Sequence, residues 1–497
     1  MVKKRKENNT KKLDSKGKER VAERAGKINA STTYETCSEQ LSPFGGLLGL
    51  IKFLDLTKIE EVFEKIYIKP KREPKLSNYH MVVGILMLLF IGFNRLHHFT
   101  YIRKDAILCG FFQLKELPVA STFWRYVDSL GINQSGSLLR IMRVLRERVW
   151  LLCGIKHEKI HLSTDTTVTT VYGNQEGGRK GHNSKNRGKK GYRSVLCFID
   201  ETREYLIGKL RIGETISSEE VGKFIKHIKK QLPGCVKEVL FRGDGEFFGW
   251  ESVAGCIKAG FDYIIGNKGA HPPFDPKKWY RRRKEDYFEY NSCVYQPMGW
   301  EVPCRFVAMR FPKDMGISSD APMQYELFED DRYTYRIFVT NLMGKVHKVI
   351  KQYDKRADVE NLVGEAKREG LDAIPSNKFK NNYAYFQIVM LAYNIWRYFK
   401  IMAQISDEAG RTESADNPHS TLNGLSDNHI RIARLKLLLI AAKVVYHSNK
   451  DKVRYSIHDM RTPGLLSFYK YLDKARDKVR PWVVGSLWPC RFSINNV

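Results

Sequence analysis

The sequence predicts an α/β chain: a mixed sheet at its centre, a helical region ahead of that sheet and a strand-rich stretch set within it. Three observations carry this. Residues 40–160 hold apolar side chains at helix-like spacing. From about residue 158 the chain gives three strand-like runs, then helix, strand, helix, strand. Residues 271–340 break that alternation with aromatic, strand-like segments.

Ahead of the sheet, Leu47–Phe63, Tyr79–Leu96 and Ser137–Leu152 read as helices. Between them, LPVASTFWRYVDSLG (117–131) reads as a turn and a helix capped by Ser121 or Thr122, with Phe123, Tyr126, Val127 and Leu130 on its inner face. That pattern is compatible with helix-turn-helix DNA binding and equally with an ordinary helical hairpin. KIHLSTDTTVTTVYG forms the first core strand, and a glycine-rich basic loop follows over 173–193. SVLCFID (194–200) and EYLIGKLRIG (204–213) are the next strands. Ser217–Leu232 is a helix opened by SSEE at capping-box spacing. EVLFRGDG (238–245), a helix over Trp250–Ala259 and DYIIG (262–266) complete an order that fits an RNase H-like core. YFEYNSCVYQ, EVPCRFVAMRF, QYELFE and YTYRIFVTNL then read as a β-rich insertion, and YAYFQIVMLAYNIWRYFKIM as a long amphipathic helix. The predicted divisions are a disordered basic arm (1–30), a helical N-terminal DNA-binding region (31–157), the first part of the core (158–270), the insertion (271–340), the second part of the core (341–404), and a linker with a basic C-terminal helical region (405–497).

Of 497 residues, 84 are Lys or Arg and 55 Asp or Glu, a formal charge of +29. Such an excess predicts a polyanionic partner, with nucleic acid the default. Residues 1–30 alone carry eleven Lys or Arg against four acids. The nine cysteines form no C-x-x-C pair, so neither a zinc knuckle nor a disulfide frame is indicated. A dispersed odd set suits reduced thiols in a cytoplasm. The longest apolar run, Met81 to Ile91, is about half a membrane span, so no membrane association is expected.

The chemistry points to three acids. Asp165 lies in STDTT, within the first core strand, and Asp244 in RGDGEF, where a buried strand runs into glycines. Glu246 is a nearby competitor, and Asp200 reads as a hairpin-turn residue. His97, His98 and His182 have no spaced partners and read as surface or core histidines. Glu360 lies in KQYDKRADVENLVGEAKREGL. With Tyr353 at 0° on a helical wheel, Arg356 falls at about 300°, Glu360 at about 340° and Lys367 at about 320°. Asp358, Glu365 and Glu369 fall elsewhere, at roughly 120–160°. One acid therefore sits with two bases and an aromatic, beside an apolar stripe of Val359, Leu362, Val363 and Ala366. Three neighbouring carboxylates repel and want divalent cations, and oxygen-only ligands suit Mg²⁺, with Mn²⁺ as a substitute. Two such ions activate a water or 3′-hydroxyl at phosphorus and stabilise the leaving oxygen.

The order STDTT, RGDGEF, then Y-x2-R-x3-E-x6-K resembles bacterial DDE transposases of the IS4-like supergroup, most nearly the IS1380 family, over roughly residues 40–400. The resemblance implies a catalytic, metal-holding triad of Asp165, Asp244 and Glu360. It implies that Arg356 and Lys367 grip phosphates at the cleaved end, with Tyr353 beside them. It also implies a tryptophan of the insertion, Trp300 or Trp279, stacked on a flipped base. The expected activity is DNA cleavage at terminal inverted repeats, followed by attack of the freed 3′-hydroxyl on target DNA, in a homodimer across two ends. The rival expectation is a nuclease of the same fold that hydrolyses without joining.

Overall fold

A computed structural model describes residues 28–71, 74–181, 186–313, 332–413 and 421–479. Most of the basic arm, His182, the QYELFE segment and the chain beyond 479 lie outside the described residues. The chain divides at Gln40. Of the first unit, residues 28–40 are exposed and carry one turn, closed by the Thr32 N–H on the Asn29 carbonyl.

The unit from Leu41 opens with a two-residue strand, β1 (Leu41–Ser42), and a helical region: α1 (Leu47–Leu56), α2 (Ile59–Ile66), α3 (Asn78–Phe90), α4 (Phe99–Ile102), α5 (Ala106–Phe112), α6 (Ala120–Ser129) and α7 (Ile132–Leu152). The helix expected over Leu47–Phe63 is two, because Lys58 takes a left-handed φ of 50° between them. Neither Ser121 nor Thr122 caps α6, whose N-cap is Val119 with no side-chain cap. Its predicted inner face is buried.

The central sheet comprises β2 (Lys159–Thr170), β3 (Arg179–Lys180), β4 (Lys190–Ile199), β5 (Glu204–Ile212), β6 (Glu238–Gly243), β7 (Asp262–Gly266), β8 (Tyr280–Arg281), β9 (Glu289–Tyr295), β10 (Cys304–Pro312) and β11 (Tyr333–Thr340). The order is β3-β4-β2-β6-β7-β11-β10-β9-β8, with β5 also on β4. The β2–β6 and β6–β7 pairs are parallel and the others antiparallel. The strand-rich stretch expected as an insertion therefore continues the same sheet, through the β11–β7 ladder. Alternation along β4 shows the two faces. Leu196 and Phe198 join the core shared with the helical region, while Val195, Cys197 and Ile199 join the core under α8 (Ser218–Gln231) and α9 (Trp250–Ala259). The Ser217–Glu220 capping box expected for α8 is present.

After β11 come α10 (Val346–Asp354), α11 (Asp358–Ala366) and the long α12 (Phe379–Glu413). Leu240, Ile264, Val307 and Phe338 of the sheet receive Val346, Val349, Ile350 and Tyr353 of α10 in a third core. The end of the chain departs from expectation. Instead of a helical tail it folds as α13 (Ile430–Leu437), a hairpin of β12 (Ala442–His447) and β13 (Lys450–Tyr455), and α14 (Thr462–Val479). The hairpin turns on Ser448 and Asn449, both at positive φ (53° and 56°). No glycine marks that turn, which hid it from the sequence pattern. Through β12 the hairpin pairs with β1, and Lys52 of α1 holds Asp473 of α14 at 2.6 Å.

Candidate active site

The site forms where a ladder stops. β2 is paired with β4 along its length, from Leu162 to Thr170. Its pairing with β6 ends at Ser163–Arg242. Beyond that point one edge of β2 carries carbonyls without a strand partner, and buried carbonyls demand donors. Thr164 and Val168 have the same parity, so their carbonyls face the same vacated edge. Arg356 donates to the Thr164 carbonyl through Nε and Nη2, at 3.2 and 3.0 Å. Lys367 Nζ donates to the Val168 carbonyl at 2.7 Å. The two bases thus dock the α10–α11 segment along the strand that carries Asp165. Four strand residues span ~13 Å and eleven helical ones ~16 Å, so the spacing of the pair suits the job.

The vacated edge also gathers acids. Asp244 follows β6 directly and caps the short turn after it, its Oδ1 accepting the Glu246 N–H at 3.0 Å. Of the flanking glycines, Gly243 serves close packing rather than a positive φ: a Cβ there would lie 2.8 Å from the Phe247 Cβ. One nitrogen, Arg356 Nη2, lies 3.0 Å from Asp165 Oδ1 and 3.6 Å from Asp244 Oδ2. Arg356 is 7 % exposed. Burial pushes the Asp165 carboxyl up to about 7, against the pull of Arg356, and Asp244 and Glu360 add to the rise. Burial also pushes Asp244 up, with Arg356 opposing and Glu246 adding. Glu360 itself is exposed, its charge felt by both Asp165 and Arg356. Asp165 and Asp244 thus share one buried guanidinium in the wall, and Glu360 stands exposed within electrostatic reach of it.

Several residues that the sequence did not single out complete the surroundings. Arg193, buried in β4, contacts Glu246 through a short ion pair and Thr166 Oγ1 at 3.2 Å. Thr166 in turn donates to Glu246 at 2.7 Å. Arg242, fully buried, holds Asp200 in a short ion pair, Ser163 Oγ at 3.1 Å and the Gln352 carbonyl at 2.7 Å. Burial lowers the Arg242 guanidinium to about 10, and Arg356 contributes. The available signal was a single arginine inside each of two apolar strand runs, KGYRSVLCFI and EVLFRG.

Some expectations for this region need correction. The helix through Tyr353 and Lys367 is not continuous. A 3₁₀ turn (Lys355–Ala357) separates α10 from α11, and a π turn (Lys367–Leu371) follows, with Gly370 at φ 121°. Arg356 and Lys367 face strand carbonyls and acids rather than solvent, because unpaired backbone of β2 claims their donors. Tyr353 is buried, its ring 4.3 Å from that of Phe338. Glu365, set apart from Glu360 on the wheel, is buried and accepts the Ile430 N–H at the start of α13, at 2.5 Å. Glu369 pairs with Arg434 of the same helix. Trp300 is 9 % exposed and packed among Phe248, Trp250 and Phe306, so it offers no open face to a base. Trp279 carries Arg310 over its ring at 4.2 Å.

Chemically, two desolvated carboxyls on one guanidinium, with a third acid nearby, suit a cation. Among the described residues no set of three acid, His or Cys side chains is already gathered as a metal cage. No curated protein matches the chain. Among solved structures it is similar to piggyBac transposase in a synaptic complex with hairpin DNA, at 10 % identity over 91 % of this chain and 86 % of that one, with a TM-score of 0.40. It is also similar to Mos1 transposase in a paired-end complex with the left transposon end, at 10 % identity over 39 % of this chain and 61 % of that one, with a TM-score of 0.16. The family model for the transposase DDE domain, group 1, matches residues 27–476, nearly the whole chain. The chain therefore belongs to the DDE transposases.

Proposed function

We propose that this transposase cuts DNA at insertion-sequence ends and joins the freed 3′-hydroxyl to target DNA, with Asp165, Asp244 and Glu360 as its working carboxylates. The observation that carries this reading is the shared Arg356 nitrogen between Asp165 and Asp244, beside a carboxyl that burial pushes up to about 7. A buried acid pair under that strain gains by holding a divalent cation, and its all-oxygen donors fit Mg²⁺ or Mn²⁺. When bound, such an ion supplies activation of the attacking oxygen and charge stabilisation at phosphorus. Asp165 and Asp244 would hold it from the wall and Glu360 from the rim. Arg356 keeps the two aspartates together and docks α11 on β2, and Lys367 extends that docking. The strand order β5-β4-β2-β6-β7, with β2, β6 and β7 parallel, supports an RNase H-like core. The Y-x2-R-x3-E-x6-K spacing supports the finer placement near the IS1380 family. Work on two ends argues for a homodimer in the DNA complex, and the substrate argues for action at the nucleoid.

Asp165→Ala, Asp244→Ala and Glu360→Ala are expected to abolish cleavage of end DNA in Mg²⁺ while DNA binding survives. Full cleavage by Glu360→Ala would remove that residue from the triad. A strand-transfer assay on supercoiled target separates the transposase from a nuclease of the same fold, which gives no joined product.

A further inference from the structure

A strongly basic groove lies at the far edge of the sheet, away from the acids. It is a cavity of about 700 Å³ lined by Arg281, Arg282, Arg283, Arg305, Lys345 and His347. The three consecutive arginines sit in the β8–β9 hairpin and are exposed. Two of them have half-buried carboxylate neighbours, Arg281 with Glu289 at 3.0 Å, an acid also held by Arg310 at 2.7 Å, and Arg282 with Asp286 at 3.6 Å. The two guanidinium groups are themselves exposed, so each keeps donors free for a second anion. Among the described residues, the side chains of Arg283 and Lys345 have no carboxylate partner, although the Arg283 backbone N–H donates to Asp286 at 3.2 Å. Arg305 is a positioning residue: it donates to the carbonyls of Leu342 and Gly344, fixing the loop that presents Lys345. Lys345 is also the N-cap of α10 and leaves that helix end without a side-chain cap. The positive end of a helix dipole therefore opens beside the cations. Burial lowers the His347 imidazole, and Arg282, Lys345 and Lys348 depress it further, a sign of crowded positive charge.

We propose that this groove is a second binding site for a phosphodiester backbone, holding duplex DNA at the outer edge of the sheet. The groove is polar and cationic rather than apolar, which fits a phosphate chain better than a peptide or a lipid tail. From β6, where Asp244 follows, to β9 is four strand spacings, about 19 Å. At ~3.4 Å per base pair that is about six base pairs of duplex. Helix α10 joins the two places, with its first residue in the groove and its last next to the turn that carries Arg356. That the bound duplex is the one being cut rests on the function proposed above; the groove's affinity for DNA does not.

The test is binding of a short fluorescent duplex by the full chain, followed by anisotropy across a salt series without divalent metal. Arg282→Glu/Arg283→Glu/Lys345→Glu is expected to weaken binding at least tenfold at low salt and to flatten the log–log salt slope by about 2–3. The single Arg283→Gln should flatten it by about 1. A control of equal charge change, Lys223→Glu/Lys226→Glu/Lys258→Glu in the cleft between α8 and α9, should leave the slope near wild type. Unchanged binding by the groove variants, or an equal loss in the control, would overturn the proposal. Asp165→Ala should bind like wild type. If the protein fails to cleave yet the groove variants still lose affinity, the groove stands and the catalytic reading falls.

Discussion

The sheet holds two buried centres in which an arginine meets carboxylates, and they are built to opposite ends. At the first, Glu204 of β5 is fully buried with Arg146 of α7, Nε to Oε2 at 2.8 Å. Trp150 Nε1 and Thr202 Oγ1 each donate to Glu204 Oε1 at 2.7 Å, and Tyr398 donates to Oε2. Arg146 spends its other nitrogens on the carbonyls of Gln231 and Tyr205. One charge answers one charge, and every lone pair has a donor. At the second centre Asp200 takes Arg242 and Glu246 takes Arg193, leaving Arg356 alone for Asp165 and Asp244, with Glu360 adding a further negative charge. A satisfied buried pair is structural glue; an unbalanced one holds free energy that a ligand can release.

Three experiments probe that contrast. The largest effect on stability belongs to the balanced centre. Glu204→Gln strands the Arg146 charge in the interior and is expected to lower unfolding free energy by about 3–5 kcal/mol in urea titrations. A loss under 1 kcal/mol would mean the two centres do not differ as described.

The unbalanced centre should respond to pH instead. The Asp165 carboxyl is raised in the folded state from 3.8 to about 7, so the native protein holds a proton that the unfolded chain has released. Its contribution is full below pH ~4 and is lost as pH rises through 7, on the order of a few kcal/mol. Asp165→Asn should flatten this decline in melting experiments run from pH 4 to 8. Added Mg²⁺ should restore wild-type stability above pH 7 and leave Asp165→Asn unchanged.

The smallest effect concerns the docking of α11. Lys367→Met keeps the apolar stem but strands the Val168 carbonyl, for a loss of about 1–2 kcal/mol with no change in the pH profile. A pH-profile change as large as that of Asp165→Asn would mean that Lys367 belongs to the charge balance of the acids.

The candidate acids were legible in the sequence. Asp165 and Asp244 announced themselves as acids in strand contexts, and Glu360 as one acid among bases. The core strands and α8 followed from period-two and capping signals, which are local. What failed was non-local. A helical wheel only sets Glu365 and Glu369 apart from Glu360; that α13, much further along the chain, covers that side and takes both is not in the pattern. Trp300 looks free within a strand-rich stretch, but the aromatic neighbours that bury it come partly from α9 and the turn before it. The wheel through Tyr353 assumed unbroken helix, and the turn at Lys355–Ala357 depends on contacts with β2 that no local pattern records.

The sequence by itself carried most of the element types, the charge that predicts a polyanionic partner and the three candidate acids, because propensity, period and charge are written residue by residue. Only the tertiary structure decided that Arg356 and Lys367 face inward. Their roles depend on where the β2–β6 ladder ends, and a ladder ends where two distant strands stop pairing. The same holds for the balance of charge: a carboxyl is pushed up or held down by what folding brings beside it.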